Sequence, residues 1–250
     1  MAGHSKWANI KHRKGAQDAK RGKIFTKLIR DIMTAAKSGG VPADNPNLKL
    51  ALDKARAANM TKEVVERAIK RGTGEIQGED YVEKVYEAMG QGGVAIVIKT
   101  LTDNGTRTYN NVRLAVTKAG GNLGEQGSVM WQFNHNGLIV FPNTIGEEDD
   151  VMEVAIESGA ADFSAEGDIY KVITEVPDFG IVRDAMVAKY GEPLEDPDLT
   201  YIPTNMIEIT DLEVAQKVQN LVDAIDEDDD VQDVITNMDI SEEIAEALTS

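Results

Sequence analysis

The residues of this chain best suited to chemistry stand at its beginning: Gly3-His4-Ser5-Lys6-Trp7, then Lys11-His12-Arg13-Lys14, then Asp18-Ala19-Lys20-Arg21-Gly22-Lys23. Lysine and arginine contact phosphate, histidine and the Ser5 hydroxyl supply further donors, and an indole can stack on an unpaired base or pack on ribose. Lys27 and Arg30 continue the series. The candidate nucleic-acid-binding residues are therefore His4, Ser5, Lys6, Trp7, Lys11, His12, Arg13, Lys14, Lys20, Arg21, Lys23, Lys27 and Arg30. For Trp7 alone, anchoring the segment to a helical core is an equal alternative. Within residues 1–40, ten Lys and Arg face only Asp18 and Asp31, a net of +8 in a protein of formal charge −17. Like charges packed this closely repel one another and weaken the fold that holds them, so the segment reads as a docking surface for a polyanion.

The asymmetry extends further. Residues 1–75 hold seventeen basic and seven acidic side chains, a net of +10, and residues 76–250 carry −27. An acidic body does not forbid phosphate binding, because surface fields are screened within roughly 8 Å at physiological ionic strength. Enzyme chemistry has little to draw on. The chain has no cysteine, three histidines (His4, His12 and His135) and no Gly-x-Ser-x-Gly elbow. Gly90-Gln91-Gly92-Gly93 lacks the Lys-Ser/Thr and the helix of a phosphate loop and reads as a hairpin turn. Gly120-Gly121-Asn122-Leu123-Gly124 follows a helix and reads as its stop. The acidic runs Glu147–Asp150 and Asp226–Asp230 lack the spacing of a calcium loop. The first suits a helix N-terminus and the second joins a helix to a strand, so both read as solvated surface, with contact to a basic partner as the alternative. No catalysis, metal, cofactor or small-molecule substrate is expected. The longest apolar runs, such as Val94–Ile98, are far short of a membrane span, and the N-terminus lacks the apolar stretch of a secretory signal. A cytoplasmic protein without membrane contact is expected.

Three modules should position these residues. In Lys23–Lys37 the apolar set Ile24, Phe25, Leu28, Ile29, Ile32, Ala35 and Ala36 recurs at three and four residues, placing a cationic stripe opposite the buried face. Asn45-Pro46 should open a second helix, and Thr61 a third that stops at Gly72. From Tyr81 the period becomes that of strands, at 81–88 and 94–101, followed by a helix at 106–119 and a strand at Val129–Phe133. Asn136-Gly137 reads as a turn with His135 beside it. The order strand 138–141, helix 147–158, strands 161–165 and 169–175, helix 178–190 and strand 198–202 is βαββαβ, a ferredoxin-like set. A helix at 211–225 and a strand at 231–236 complete the other sheet. The fold class is thus α+β: a basic helical domain at 1–78, a discontinuous α+β domain from 79–135 and 205–250, and a ferredoxin-like module at 136–204 inserted into it.

The opening run Ala2–Lys14, the run Asp18–Lys27, and Asn59-Met60-Thr61, Tyr86-Glu87-Ala88, Gly92-Gly93, Thr102-Asp103-Asn104, Arg107-Thr108, Val112-Arg113 and Gly120–Gly124 resemble the YebC family across essentially the whole chain. That resemblance implies a three-domain, non-enzymatic, cytoplasmic protein. Most members are named probable transcriptional regulators that bind DNA, whereas others are ribosome-associated translation factors that contact RNA. No capped helix rich in Arg, Asn and Gln announces base reading in a major groove, which suits structured RNA at least as well as an operator. The competing reading is an acidic adaptor for basic proteins, with the N-terminal segment only tuning affinity.

Overall fold

The computed structural model describes residues 21–249. It is an α+β protein, helical first and then built on two four-stranded sheets. Residues 133–204 form one compact unit and the described residues on either side of them form the other.

Three helices open the flanking unit: α1 (Arg21–Ala36), α2 (Pro46–Ala57) and α3 (Lys62–Gly72). Their core is small: Ile32, Met33 and Ala36 of α1 meet Leu48, Ala51 and Ala55 of α2 and Ala68 of α3. So many alanines bring the helix axes close. Asn45 fixes the α1–α2 corner, since its side-chain oxygen accepts from Leu48 N at 3.0 Å while its amide donates to the carbonyls of Ala35 and Gly39, each at 2.8 Å. One side chain thus satisfies orphan groups at the end of one helix and the start of the next. α3 ends at Gly72, as expected, but Gly72 is its last helical residue and has no positive φ; a Cβ there would come 2.3 Å from the Met33 carbonyl oxygen, so the glycine also lets α3 touch α1.

The sheet of this unit is ordered β3 (Asn122–Leu123), β1 (Val82–Met89), β2 (Ala95–Thr102), β9 (Val231–Thr236), antiparallel throughout. Gly92 and Gly93 turn the β1–β2 hairpin at φ of 68° and 78°, conformations open to residues without a Cβ. Helices α4 (Gly105–Lys118) and α7 (Leu212–Asp226) cover one face. Ile96 and Ile98 of β2 are buried with Val112 and Val116 of α4 and Val218, Leu221 and Ile225 of α7. Four elements were not anticipated: β3, the strands β8 (Ile207–Glu208) and β10 (Met238–Asp239), joined in a two-stranded parallel ladder, and a final helix α8 (Glu242–Thr249).

The other unit has the βαββαβ order: β4 (Phe133–Pro142), α5 (Glu148–Glu157), β5 (Asp162–Glu166), β6 (Ile169–Thr174), α6 (Phe179–Tyr190) and β7 (Asp198–Pro203), with sheet order β5-β6-β4-β7. The structure corrects two expectations at its start. Val129–Phe133 is not a strand: Met130–Gln132 is a 3-10 turn, and Phe133 already belongs to β4. Asn136-Gly137 is not a turn but mid-strand, paired to Thr200 and Leu199 on one side, with Gly137 also paired to Thr174 on the other. A Cβ on Gly137 would come 2.3 Å from the Phe179 ring and 2.4 Å from Thr174 Oγ1, so the glycine exists to seat α6 on the sheet. His135 likewise lies in β4 and stacks on Tyr201 with centroids 4.8 Å apart.

Candidate nucleic-acid interface

Of the sequence-predicted site residues, His4, Ser5, Lys6, Trp7, Lys11, His12, Arg13, Lys14 and Lys20 lie outside the described residues. Arg21 is the first residue of α1. Lys23, Lys27 and Arg30 follow on that helix, and the structure brings all three onto one partner, the acidic run that leaves α7.

The geometry follows from helix chemistry. The C-terminus of α7 exposes carbonyls without intrahelical partners and the negative end of the peptide dipoles, and cations are favoured there. Lys23 Nζ donates to the Asp226 carbonyl at 2.7 Å. Lys27 Nζ meets the Asp226 carboxylate at 2.8 Å and the Gln232 carbonyl at 3.3 Å. One turn on, Arg30 Nη1 donates to Asp230 Oδ1 at 3.0 Å and also to the Asp229 carbonyl. The Arg30 guanidinium lies 5.0 Å from the centre of the Tyr81 ring, which adds a cation–π contact. The second run, read from sequence as solvated surface, is therefore an internal docking segment for α1. The first run behaves as expected: Glu148, Asp149 and Asp150 sit exposed in the first turn of α5.

Asp230 is the centre of this contact. Its side chain is 3% exposed and carries two sets of donors. Oδ1 takes Arg30, while Oδ2 accepts from Arg107 Nη2 at 2.7 Å, Thr108 Oγ1 at 2.7 Å and Thr102 Oγ1 at 3.4 Å. Burial pushes its carboxyl pKa up, but the hydrogen bonds from Arg107 and Thr108 and the charges of Arg30 and Arg107 outweigh burial and hold it below the usual carboxylate range. Arg107, bonded to Asp230 and to Asp103 at 2.7 Å, is held protonated more firmly than an ordinary arginine. Sequence reasoning missed this network, and the available signal was the pairing of a +10 segment with a −27 remainder in one chain.

A second buried carboxylate orders the turn before β4. Glu87 of β1 accepts from the backbone N–H groups of Gly127 at 2.6 Å, Val129 at 2.7 Å and Met130 at 2.8 Å. Burial raises its pKa, yet the three donors, with the Ser128 hydroxyl, bring it below the normal value. The turn presents Trp131, 72% exposed, with its indole N–H donating to Ser128 O at 3.2 Å. Among the described residues no helix is long and apolar enough to cross a membrane.

Comparison with known proteins bears on both parts of the chain. Residues 5–75 match the model of the TACO1/YebC protein N-terminal domain, and residues 81–238 match that of the TACO1/YebC second and third domain. A probable transcriptional regulatory protein of Acidithiobacillus ferrooxidans is 52% identical over 244 residues, covering 97% of this chain and 96% of its own. One from Geobacter sulfurreducens is 47% identical over 249 residues, covering 99% of this chain and all of its own length (100%). The crystal structure of a conserved hypothetical protein from Aquifex aeolicus superposes with a TM-score of 0.79 at 42% identity, over 90% of this chain and 93% of that one.

Proposed function

This chain belongs to the TACO1/YebC family, and we propose that it is a non-catalytic, cytoplasmic regulator of gene expression that binds nucleic acid through its basic N-terminal segment. The observation that carries this reading is the charge pattern. Residues 1–20 place Lys6, Lys11, Arg13, Lys14 and Lys20 beside His4, Ser5, Trp7 and His12, against Asp18 alone. Those residue types serve phosphate, ribose and unpaired bases. Lys23, Lys27 and Arg30 already hold Asp226, Asp229 and Asp230, so residues 4–20 make the first contact with an incoming backbone.

The curated relatives are named as transcriptional regulators, which favours a DNA target. The chemistry of the segment favours RNA, because clustered cations grip backbone well and read base edges poorly. We place the target among structured RNAs, the ribosome included. The acidic-adaptor reading is weakened, since two carboxylates of the densest acidic run, Asp226 and Asp230, already meet the chain's own α1.

The test is fluorescence polarisation with labelled structured RNA and duplex DNA, comparing the full chain with a Lys11→Glu, Arg13→Glu, Lys14→Glu variant over a salt series. With three or four cations engaged, log Kd should change with log salt at a slope of magnitude about 2–4, and the variant should bind at least tenfold more weakly. An affinity indifferent to salt and to these substitutions would refute the proposal. Protection of one short duplex sequence about a thousand-fold over random DNA would move the target to an operator.

A further inference from the structure

Among the described α-helices, α4 is the one without an aspartate or glutamate, in a protein whose residues 76–250 carry −27. Its inner side is fixed: Val112 and Val116 are fully buried, Thr108 bonds Asp230, and the Asn104 side chain caps the helix by accepting from Arg107 N at 3.1 Å. Its outer side is a stripe. At 100° per residue, Thr106, Tyr109, Asn110, Arg113 and Thr117 fall within an arc of about 100°, and all five are exposed. Tyr109 is 45% exposed, and its ring leans on Tyr86 with centroids 6.1 Å apart.

A further cation lies at the start of the same helix. Lys84 of β1 pairs with Thr100, on the sheet face that α4 covers, and a Cβ on Gly105 would sit 2.9 Å from the Lys84 ammonium. Nearby carboxylates are accounted for. Asp103 holds Arg107, Asp228 holds Asn111, and Glu83 points to the opposite face of the sheet by strand alternation. What remains open is one aromatic face, the Arg113 guanidinium, the Lys84 ammonium and three small polar side chains.

We propose that this face of α4 is a second nucleic-acid contact, one that takes an unpaired stretch of the strand. Tyr109 stacks on an exposed base, Arg113 and Lys84 hold the flanking phosphates, and Asn110, Thr106 and Thr117 reach sugar or base edges. The choice of unpaired strand rests on Tyr109, whose ring can stack only on a base already out of a duplex. The choice of nucleic acid over a basic protein rests on charge: the stripe itself carries a cation and no carboxylate, and the nearby Asp103 and Asp228 already bond Arg107 and Asn111. This inference builds on the nucleic-acid-binding function proposed above.

Two measurements on the full chain test it. Ultraviolet crosslinking to a mixed-sequence single-stranded RNA, followed by tryptic digestion, should yield an adduct on the peptide Thr108–Arg113. In polarisation, Tyr109→Ala combined with Arg113→Ala should weaken single-strand binding about tenfold and leave blunt duplex binding within twofold. Tyr109→Phe, which keeps the ring, should retain wild-type affinity. Adducts confined to residues 1–23, or a double variant that binds the single strand as tightly as a binding-competent wild type, would overturn the α4 contact and leave the N-terminal one intact. A wild type that binds neither probe would overturn both.

Discussion

Replacing Asp230 by asparagine keeps the size of the side chain and removes its charge, which isolates the electrostatic part of the joint between α1, α4 and the α7–β9 connection. The Asp230 side chain is 3% exposed, and its partners Arg30 and Arg107 are 12% and 45% exposed. Removing one member of a buried ion pair costs about 3–5 kcal/mol, because the remaining charge is left desolvated without a counterion. Water screens the half-exposed Arg107, so the low end of that range applies, about 3 kcal/mol. For a chain of this size each kcal/mol moves the midpoint by about 2–4 °C, giving an expected loss of about 6–12 °C. Because the chain has two compact units, the transition should be followed by a local probe. In a Trp7→Phe background, the fluorescence of Trp131 reports on the unit that holds Asp230. Arg30→Met should cost less than Asp230→Asn, since Arg107, Thr108 and Thr102 still satisfy the carboxylate. The double variant should fall short of the sum by at least about 0.5 kcal/mol, as coupled neighbours do. A shift under about 2 °C for Asp230→Asn, or strict additivity with Arg30→Met, would refute the claim that this contact joins the helices to the sheet.

Three other outcomes follow from the same structure. Glu87→Gln retains one acceptor oxygen where three backbone N–H groups converge, so amide exchange at Val129 and Met130 should quicken at least tenfold, and unchanged protection would deny Glu87 its ordering role. Gly137→Ala drives a methyl into Phe179 and Thr174, and urea unfolding of the 133–204 unit should show a loss of about 1–3 kcal/mol; a neutral effect would mean that the Phe179 ring moves aside freely. Asp230 and Glu87 both have lowered pKa values in the fold, so their stabilisation is complete above the unfolded carboxyl range of about 4 and is lost as pH falls through the folded values. Stability should therefore be level from pH 7 to about 5 and decline below about 4, with a shallower decline in Asp230→Asn than in wild type.

Periodicity carried the fold in this sequence where an element was long and had one apolar face. α1, α2, α4 and α7, the β1–β2 hairpin and the βαββαβ series apart from the start of β4 stand within a few residues of their expected bounds. Local signals failed where a distant contact set the residue. The Asn136-Gly137 pair carries turn chemistry, yet Gly137 sits mid-strand to clear the Phe179 ring, and Gly72, which does end α3, also clears the Met33 carbonyl. The 226–230 run looked like solvent-facing charge because its counterions are distant in sequence, Lys27 and Arg30 on α1 and Arg107 on α4. β8, β10 and β3 span two residues each, too short for any period to show.

The docking of α1 on residues 226–230 also decides how a basic segment can work on an acidic protein. Lys23, Lys27 and Arg30 meet carboxylates and carbonyls on their own chain, at an effective concentration on the order of millimolar or higher. A nucleic acid at micromolar concentration does not displace such partners unless it is first held elsewhere. Under the proposed function residues 4–20 would supply that first hold, and with phosphates then concentrated beside α1 the exchange of Asp226 for phosphate would become a contest between neighbours. Asp226 is the weaker link in that contest, at 35% side-chain exposure against 3% for Asp230. On that proposal Lys23 and Lys27 would turn to phosphate while Arg30, paired with the buried Asp230, keeps the helices on the sheet. The three cations that looked like one binding stripe thus divide by the burial of their partners, with Lys23 and Lys27 on the half-exposed Asp226 and Arg30 on the buried Asp230.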